Sequence, residues 1–133
     1  MRIYVAGPLA AIEQVQAVQS AVLAAGHTLT LDWSRGPDID LGEAGYAAAP
    51  VTSARLASQD LGAVLDAEAV LVLATEHDGR GMFVELGAAL TRVVAGELAH
   101  LVLIGEVVHD SVFYHHAGIQ RFATVDDWLA DQG

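Results

Sequence analysis

Six consecutive apolar residues, "AVLVLA" at 69–74, constrain the fold more than any other stretch of this chain. A strand with one face in water alternates apolar and polar side chains, so an unbroken apolar run marks a strand covered on both faces. "LAHLVLIG" at 98–105 and "RIYVA" at 2–6 have much the same character, and the latter ends at Gly7-Pro8. Helical spacing fills the intervals. Ile12, Val15, Val18, Val22 and Leu23 recur through 9–25 ahead of a stop at Gly26, and a helical pattern over 51–66 follows Pro50, which suits a first helical turn. A further helix is predicted over 82–95. "HTLTLDW" at 27–33 alternates as a strand does, "QRFAT" at 120–124 reads as a short strand, and "VDDWLADQ" as a closing helix. Residues 34–49, with Gly36, Pro37, Gly42 and Gly45, and "TEHDGRG" at 75–81 have the composition of loops.

Strands buried on both faces and alternating with helices predict an α/β fold. The expected architecture is one three-layer, flavodoxin-like or Rossmann-like domain over 1–133, with a five-stranded parallel sheet. There is no internal repeat, low-complexity segment or interdomain linker. Ligands of such sheets sit beyond the carboxyl ends of the strands, near the switch in strand order. Here that edge comprises Gly7 and Pro8, Asp32 and Trp33, residues 75–81 and residues 105–116.

Composition narrows the function classes. At 133 residues and 53% hydrophobic, the chain is built to bury a core and is not a disordered one. It lacks the ~18 uncharged apolar residues of a membrane span, and its opening reads as a strand rather than a signal peptide. The expectation is therefore a cytoplasmic protein with no membrane partner. A net charge of −11, from 17 acidic residues against six arginines and no lysine, repels nucleic-acid polymers and anionic membranes. A small ligand suits that field better. Without cysteine there is neither a disulfide framework nor a thiolate metal site.

One carboxylate is out of place. "GRGMFVELGAAL" at 79–90 reads as the start of a buried helix, yet Glu85 stands in the middle of it. A glutamate near a helix start gains from the helix dipole with no chemistry at all. But residues 82, 84, 86, 88 and 89 around Glu85 are apolar, which leaves it no solvated stripe, and Gly79 and Gly81 allow a ligand close to the backbone. Asp60, bracketed by Leu56, Leu61 and Val64, is expected to face inward as a second carboxylate, and Asp78 in the preceding loop is its rival. Two carboxylates at one cleft are the minimum for glycosidic chemistry, one as nucleophile and one as acid/base. The six histidines form no HxxxH or HExxH pattern, which disfavours a metal site. No complete GxGxxG, GxSxG or P-loop pattern is present either, so no nucleotide cofactor is expected.

"IYVAGPL", "QDLGAVLDAEAVLVLAT" and "GRGMFVELGAAL", in that order, resemble the nucleoside 2-deoxyribosyltransferase superfamily, which includes the 2'-deoxynucleoside 5'-phosphate N-hydrolases. The resemblance runs from Arg2 to about Ala95, and the G-x-x-x-E-L-G-x-A block is its most specific element. It implies that Glu85 attacks the anomeric carbon of a nucleoside sugar, that Asp60 contacts substrate and serves proton transfer, and that Tyr4 hydrogen-bonds the catalytic carboxylate. It also implies a flavodoxin-like fold, no cofactor and no metal. Asp78 is out of register with the loop aspartate of the transferases, and the C-terminal substrate-binding residues of the family have no clear counterpart here.

The resulting expectation is cleavage or transfer of the N-glycosidic bond of a nucleoside or nucleoside 5'-monophosphate through a glycosyl-glutamate ester. The alternative is a nucleotide-sensing module on the same fold, without catalysis. The remaining binding candidates are Gly7, Pro8, Asp32, Trp33, Asp78, Gly79, Arg80, Gly81 and Met82. A homodimer or higher homo-oligomer is expected, because the 82–95 helix is apolar on more faces than a small monomer covers. The resemblance further implies dimers whose neighbours complete each site, here with "HDSVFYHH" at 109–116 reaching across through Ser111, Tyr114 or His115. Arg80 reads either as an anchor for a 5'-phosphate or as a solvated loop residue paired with Asp78 or Glu76. With no basic residue in the loop after the first strand, an unphosphorylated nucleoside is narrowly favoured.

Overall fold

The computed structural model describes residues 1–35 and 45–133. The loop expected over 34–49 therefore lies partly outside the described residues, Gly36, Pro37 and Gly42 included. Five strands, β1 (Arg2–Ala6), β2 (Thr28–Leu29), β3 (Ala69–Leu73), β4 (His100–Ile104) and β5 (Gln120–Phe122), form one parallel sheet in the order β2-β1-β3-β4-β5. This is the flavodoxin-like arrangement expected. The described helices are α1 (Ile12–Ala24), α2 (Pro50–Asp66), α3 (Arg80–Val94) and α4 (Val125–Gln132). None of them is long and apolar enough to cross a membrane.

The strand pleat sorts the core into two clusters. Tyr4, Ala6, Val70, Val72, Leu101 and Leu103 face Val64 of α2 and Met82, Leu86 and Ala89 of α3. Ile3, Val5, Leu71, Val102 and Ile104 face Val15 and Val22 of α1 and Trp128 of α4. All five residues of β3 are buried, because helices cover both of its faces.

Local chemistry sets the element ends. Gly26 caps α1 with a φ of 91°, a left-handed backbone that glycine adopts without strain. Thr124 caps α4, its side chain accepting a bond from the Asp127 amide at 3.1 Å, while Asp126 and Asp127 suit the positive end of the helix. Arg92 of α3 donates to the carbonyls of Val64 and Ala67 at 2.7 Å each and to that of Glu97 at 2.9 Å. Charge-assisted bonds to those two carbonyls clamp the end of α2 against α3 and set the relative position of the two helices.

Two of the boundaries that differ from the sequence expectation lie beside the site. α3 begins at Arg80 rather than at Met82, with Gly79 as its N-cap. The strand expected over 27–33 is only Thr28–Leu29, and Trp33 begins a 3-10 turn over Trp33–Arg35. Two side chains end it early. The indole Nε1 of Trp33 donates to the carbonyl of Val5 at 2.8 Å, and Asp32 accepts from the Ser34 amide at 3.1 Å, folding the backbone into a turn.

Candidate active site

β1, α2 and α3 bring three polar side chains together on one face of the sheet. Tyr4 is fully buried in the middle of β1, and its phenol donates a hydrogen bond to Oε2 of Glu85 on α3. Glu85 is 9% exposed and lies beyond the first helical turn, so it is not a solvated first-turn glutamate in the helix dipole. Asp60, half-buried on α2, is close enough for its charge to act on both Tyr4 and Glu85. Of the apolar residues expected to bracket Asp60, Val64 is buried and Leu56 half-buried, but Leu61 turns outward to solvent.

Burial shapes the electrostatics. It pushes the Glu85 carboxyl up from its ordinary 4.5 to about 7; the Tyr4 hydrogen bond pulls the other way and the Asp60 charge adds to the rise. Asp60 is raised as well, through burial. Tyr4 is driven well above its usual range by burial, then by the Glu85 charge and hydrogen bond and by the Asp60 charge, so the phenol stays neutral and donates. The site thus combines a carboxyl that titrates near neutrality, a second carboxyl beside it and a fixed hydroxyl donor. Such perturbed groups in one place mark candidate chemistry.

Glycine lets the surrounding backbone close up. A Cβ at Gly7 would stand 2.6 Å from Cγ2 of Val15, so β1 runs directly onto α1 there. A Cβ at Gly79 would stand 3.2 Å from Cα of Pro8, which brings the start of α3 against the loop after β1. Gly7, Pro8, Gly79 and Met82 are buried at this junction. Gly81 is different: a Cβ there would meet nothing within 4 Å, so protein packing does not demand the glycine.

Other candidates fall elsewhere. Asp32 spends its carboxylate on Ser34, at 2.6 Å to Oγ, and on Arg35 at 3.0 Å, while Trp33 secures the turn. Asp78 is exposed, and one of its carboxylate oxygens accepts from the Gly79 amide at 3.0 Å. With Arg80, Phe83, His109, Ser111 and Phe113 it lines a separate cleft, which none of Glu85, Asp60 and Tyr4 lines. Asp60, not Asp78, is the carboxylate whose charge reaches Glu85. Arg80 is exposed and, among the described residues, pairs with neither Asp78 nor Glu76.

Residues 109–116 are exposed except for Tyr114, which is buried, and Ser111, which is half-buried. Tyr114, expected as a reach into a neighbour, is 2% exposed and stacks on Phe83 with ring centroids 5.4 Å apart, too deep in its own core to project across an interface. Burial and the charges of Asp78 and Asp110 raise its phenol. Ser111 caps a 3-10 turn, Val112–His115, by accepting from the Phe113 amide at 3.3 Å. His115 is exposed and paired with Asp110 at 3.0 Å. His109 Nε2 lies 2.8 Å from the Glu76 carbonyl and ties this segment to the loop before α3.

Phe83, which lines the cleft with Asp78 and Arg80, was visible in the sequence only as one more apolar position of its helix. No group of three or more His, Asp or Glu side chains is gathered to hold a metal among the described residues.

No protein-family model matches the chain, and neither does any curated protein. Among solved structures it is similar to the Clostridium botulinum CMP N-glycosidase BcmB, with a TM-score of 0.57 over 99% of this chain and 98% of that one. At 9% identity, the likeness establishes the shared α/β fold alone.

Proposed function

We propose that this protein breaks the N-glycosidic bond of a nucleoside or nucleoside 5'-monophosphate, with Glu85 as nucleophile. The observation that carries this reading is the buried Glu85 carboxylate held by Tyr4 beside a second carboxyl, Asp60. The structural neighbour of the same fold, a CMP N-glycosidase, supports it.

In the first step a Glu85 carboxylate oxygen attacks C1' and the C1'–N bond breaks. The bonding pair leaves with the base nitrogen, which takes the proton of the Asp60 carboxylic acid. In the second step water attacks C1' of the glycosyl ester, Asp60 recovers a proton from that water, and the Glu85 carboxylate departs. A second base in place of water gives transfer. The hydrogen bond from Tyr4 aims the carboxylate and favours its charged form, as a nucleophile requires. The raised Asp60 keeps a larger share of its acid form for the leaving base.

The active form is proposed to be a homodimer or higher homo-oligomer. Val84 and Val94 on α3 are 61% and 74% exposed, apolar surface that a second copy would cover. The deciding experiment incubates the protein with ribo- and deoxynucleosides and their 5'-monophosphates, with and without acceptor bases. Release of free base is expected. Ligand binding with no release from any substrate would instead establish the nucleotide-sensing reading.

A further inference from the structure

β1 pairs with β2 in the register Arg2↔Thr28 and Ile3↔Leu29, and the Thr30 amide donates to the Ile3 carbonyl at 3.0 Å. The ladder therefore runs on past the end of β2 and sets Thr30 opposite Tyr4. Leu29 packs into the cluster beneath α1 and α4, so the pleat turns Thr30 to the other face, the one that carries Tyr4, Asp60 and Glu85. There the Thr30 hydroxyl is buried and has no hydrogen-bond partner among the described residues. The neighbouring phenol of Tyr4 is already committed to Glu85.

Buried hydroxyls are almost always paired, and each one missing a partner calls for an explanation. Three other buried polar atoms share this condition among the described residues. Gln19 belongs to α1 and Trp128 to α4, on the opposite face, and His100 stands edge-on to the Trp128 ring. Thr30 is the one on the face of the candidate site.

We infer that Thr30 binds the sugar of the substrate, its hydroxyl pairing with a ring hydroxyl of the nucleoside. This rests on the function proposed above. A carboxylate that attacks C1' sets the sugar, not the base, nearest to the residues around it. A threonine hydroxyl both donates and accepts, and so does a sugar hydroxyl. Thr30 then decides which sugars the site prefers, while Glu85 and Asp60 carry the reaction.

The test measures binding on the Glu85→Gln background, which prevents turnover, using a ribonucleoside and its 2'-deoxy and 3'-deoxy counterparts. With Thr30 present, loss of one of these hydroxyls should weaken binding roughly 10-fold or more. In Thr30→Val, which replaces the hydroxyl by a methyl of similar shape, that ratio should collapse to about one, and Thr30→Ser should restore it. Should Thr30→Val fail to fold, Thr30→Ala makes the same comparison. An unchanged ratio in the variant, or no discrimination at either hydroxyl in the parent, overturns the inference. Base release by the wild type is followed in parallel, so release with an unchanged ratio removes only the Thr30 assignment. A collapsed ratio without release keeps Thr30 as a sugar contact and removes the catalytic reading. Absence of both binding and release removes the two together.

Discussion

The phenol of Tyr4 on the second strand of the sheet order donates to the carboxylate of Glu85, 81 positions further along the chain. That single bond joins the sheet to α3 and holds a buried carboxylate in one orientation. Most of the expected behaviour of this protein follows from it.

Glu85→Gln should fold, because the amide has nearly the same shape and still accepts the Tyr4 hydrogen bond. It cannot form the glycosyl ester. Turnover should drop by at least roughly 100-fold, measured as free base released per enzyme. Near-wild-type turnover in this variant would remove Glu85 from the nucleophile role.

The pH profile should move in opposite directions in two variants. A nucleophilic Glu85 must be ionised, so kcat/KM should fall on the acid side with an apparent pKa of about 7. Tyr4→Phe deletes the bond that favours the charged form and should move that limb to higher pH. Asp60→Asn deletes a neighbouring negative charge and should move it to lower pH, besides slowing base departure. Shifts of the same sign would contradict the arrangement.

Stability should depend on the same carboxyl. Glu85 has a higher pKa folded than its ordinary 4.5, so the folded state holds the proton more tightly. Its contribution is fully present below about 4.5 and is lost as the pH rises through about 7. Glu85→Gln carries no such proton, so it should gain on the wild type over that window by on the order of 3 kcal/mol. Urea unfolding of both proteins at pH 4.5 and pH 8 measures the change, and a gap independent of pH would refute it.

Substrate phosphate can be read at Arg80. The stretch Gly7–Ala11 carries no basic residue, whereas Arg80 is exposed at the start of α3 without an ion-pair partner among the described residues. A nucleoside should be turned over at least as well as its 5'-monophosphate. A strong preference for the monophosphate that disappears in Arg80→Ala would reverse this and make Arg80 the phosphate anchor.

Light scattering at low micromolar concentration should give at least twice the mass of the chain. Val84→Glu, placing a charge on the exposed flank of α3, should shift the mass toward the monomer. A monomer in the wild type would exclude the proposed oligomer.

How much of this was legible beforehand depended on the range of the interactions. Apolar runs at 69–74 and 101–104, and 3.6-residue spacing between runs, are local patterns, and they alone determined a parallel sheet with helices on both faces. Glu85 was legible for the same reason, as a charge interrupting an apolar helix. The partner carboxylate was legible in part. Its apolar neighbours and the family resemblance put Asp60 ahead of Asp78 in the sequence, but only the packing of α2 and α3 on the sheet brings its charge to Glu85, while Asp78 lines a separate cleft. Likewise, alternation in "HTLTLDW" marks a strand, but the Trp33 bond to Val5 that cuts it short needs the neighbouring strand in place. The resemblance implied that Tyr114 reaches into a neighbour, and the tertiary structure buries it against Phe83. Periodicity records which face of an element is dry; it holds no record of which dry faces meet, since that is settled by crossover geometry and strand register among residues far apart in the chain.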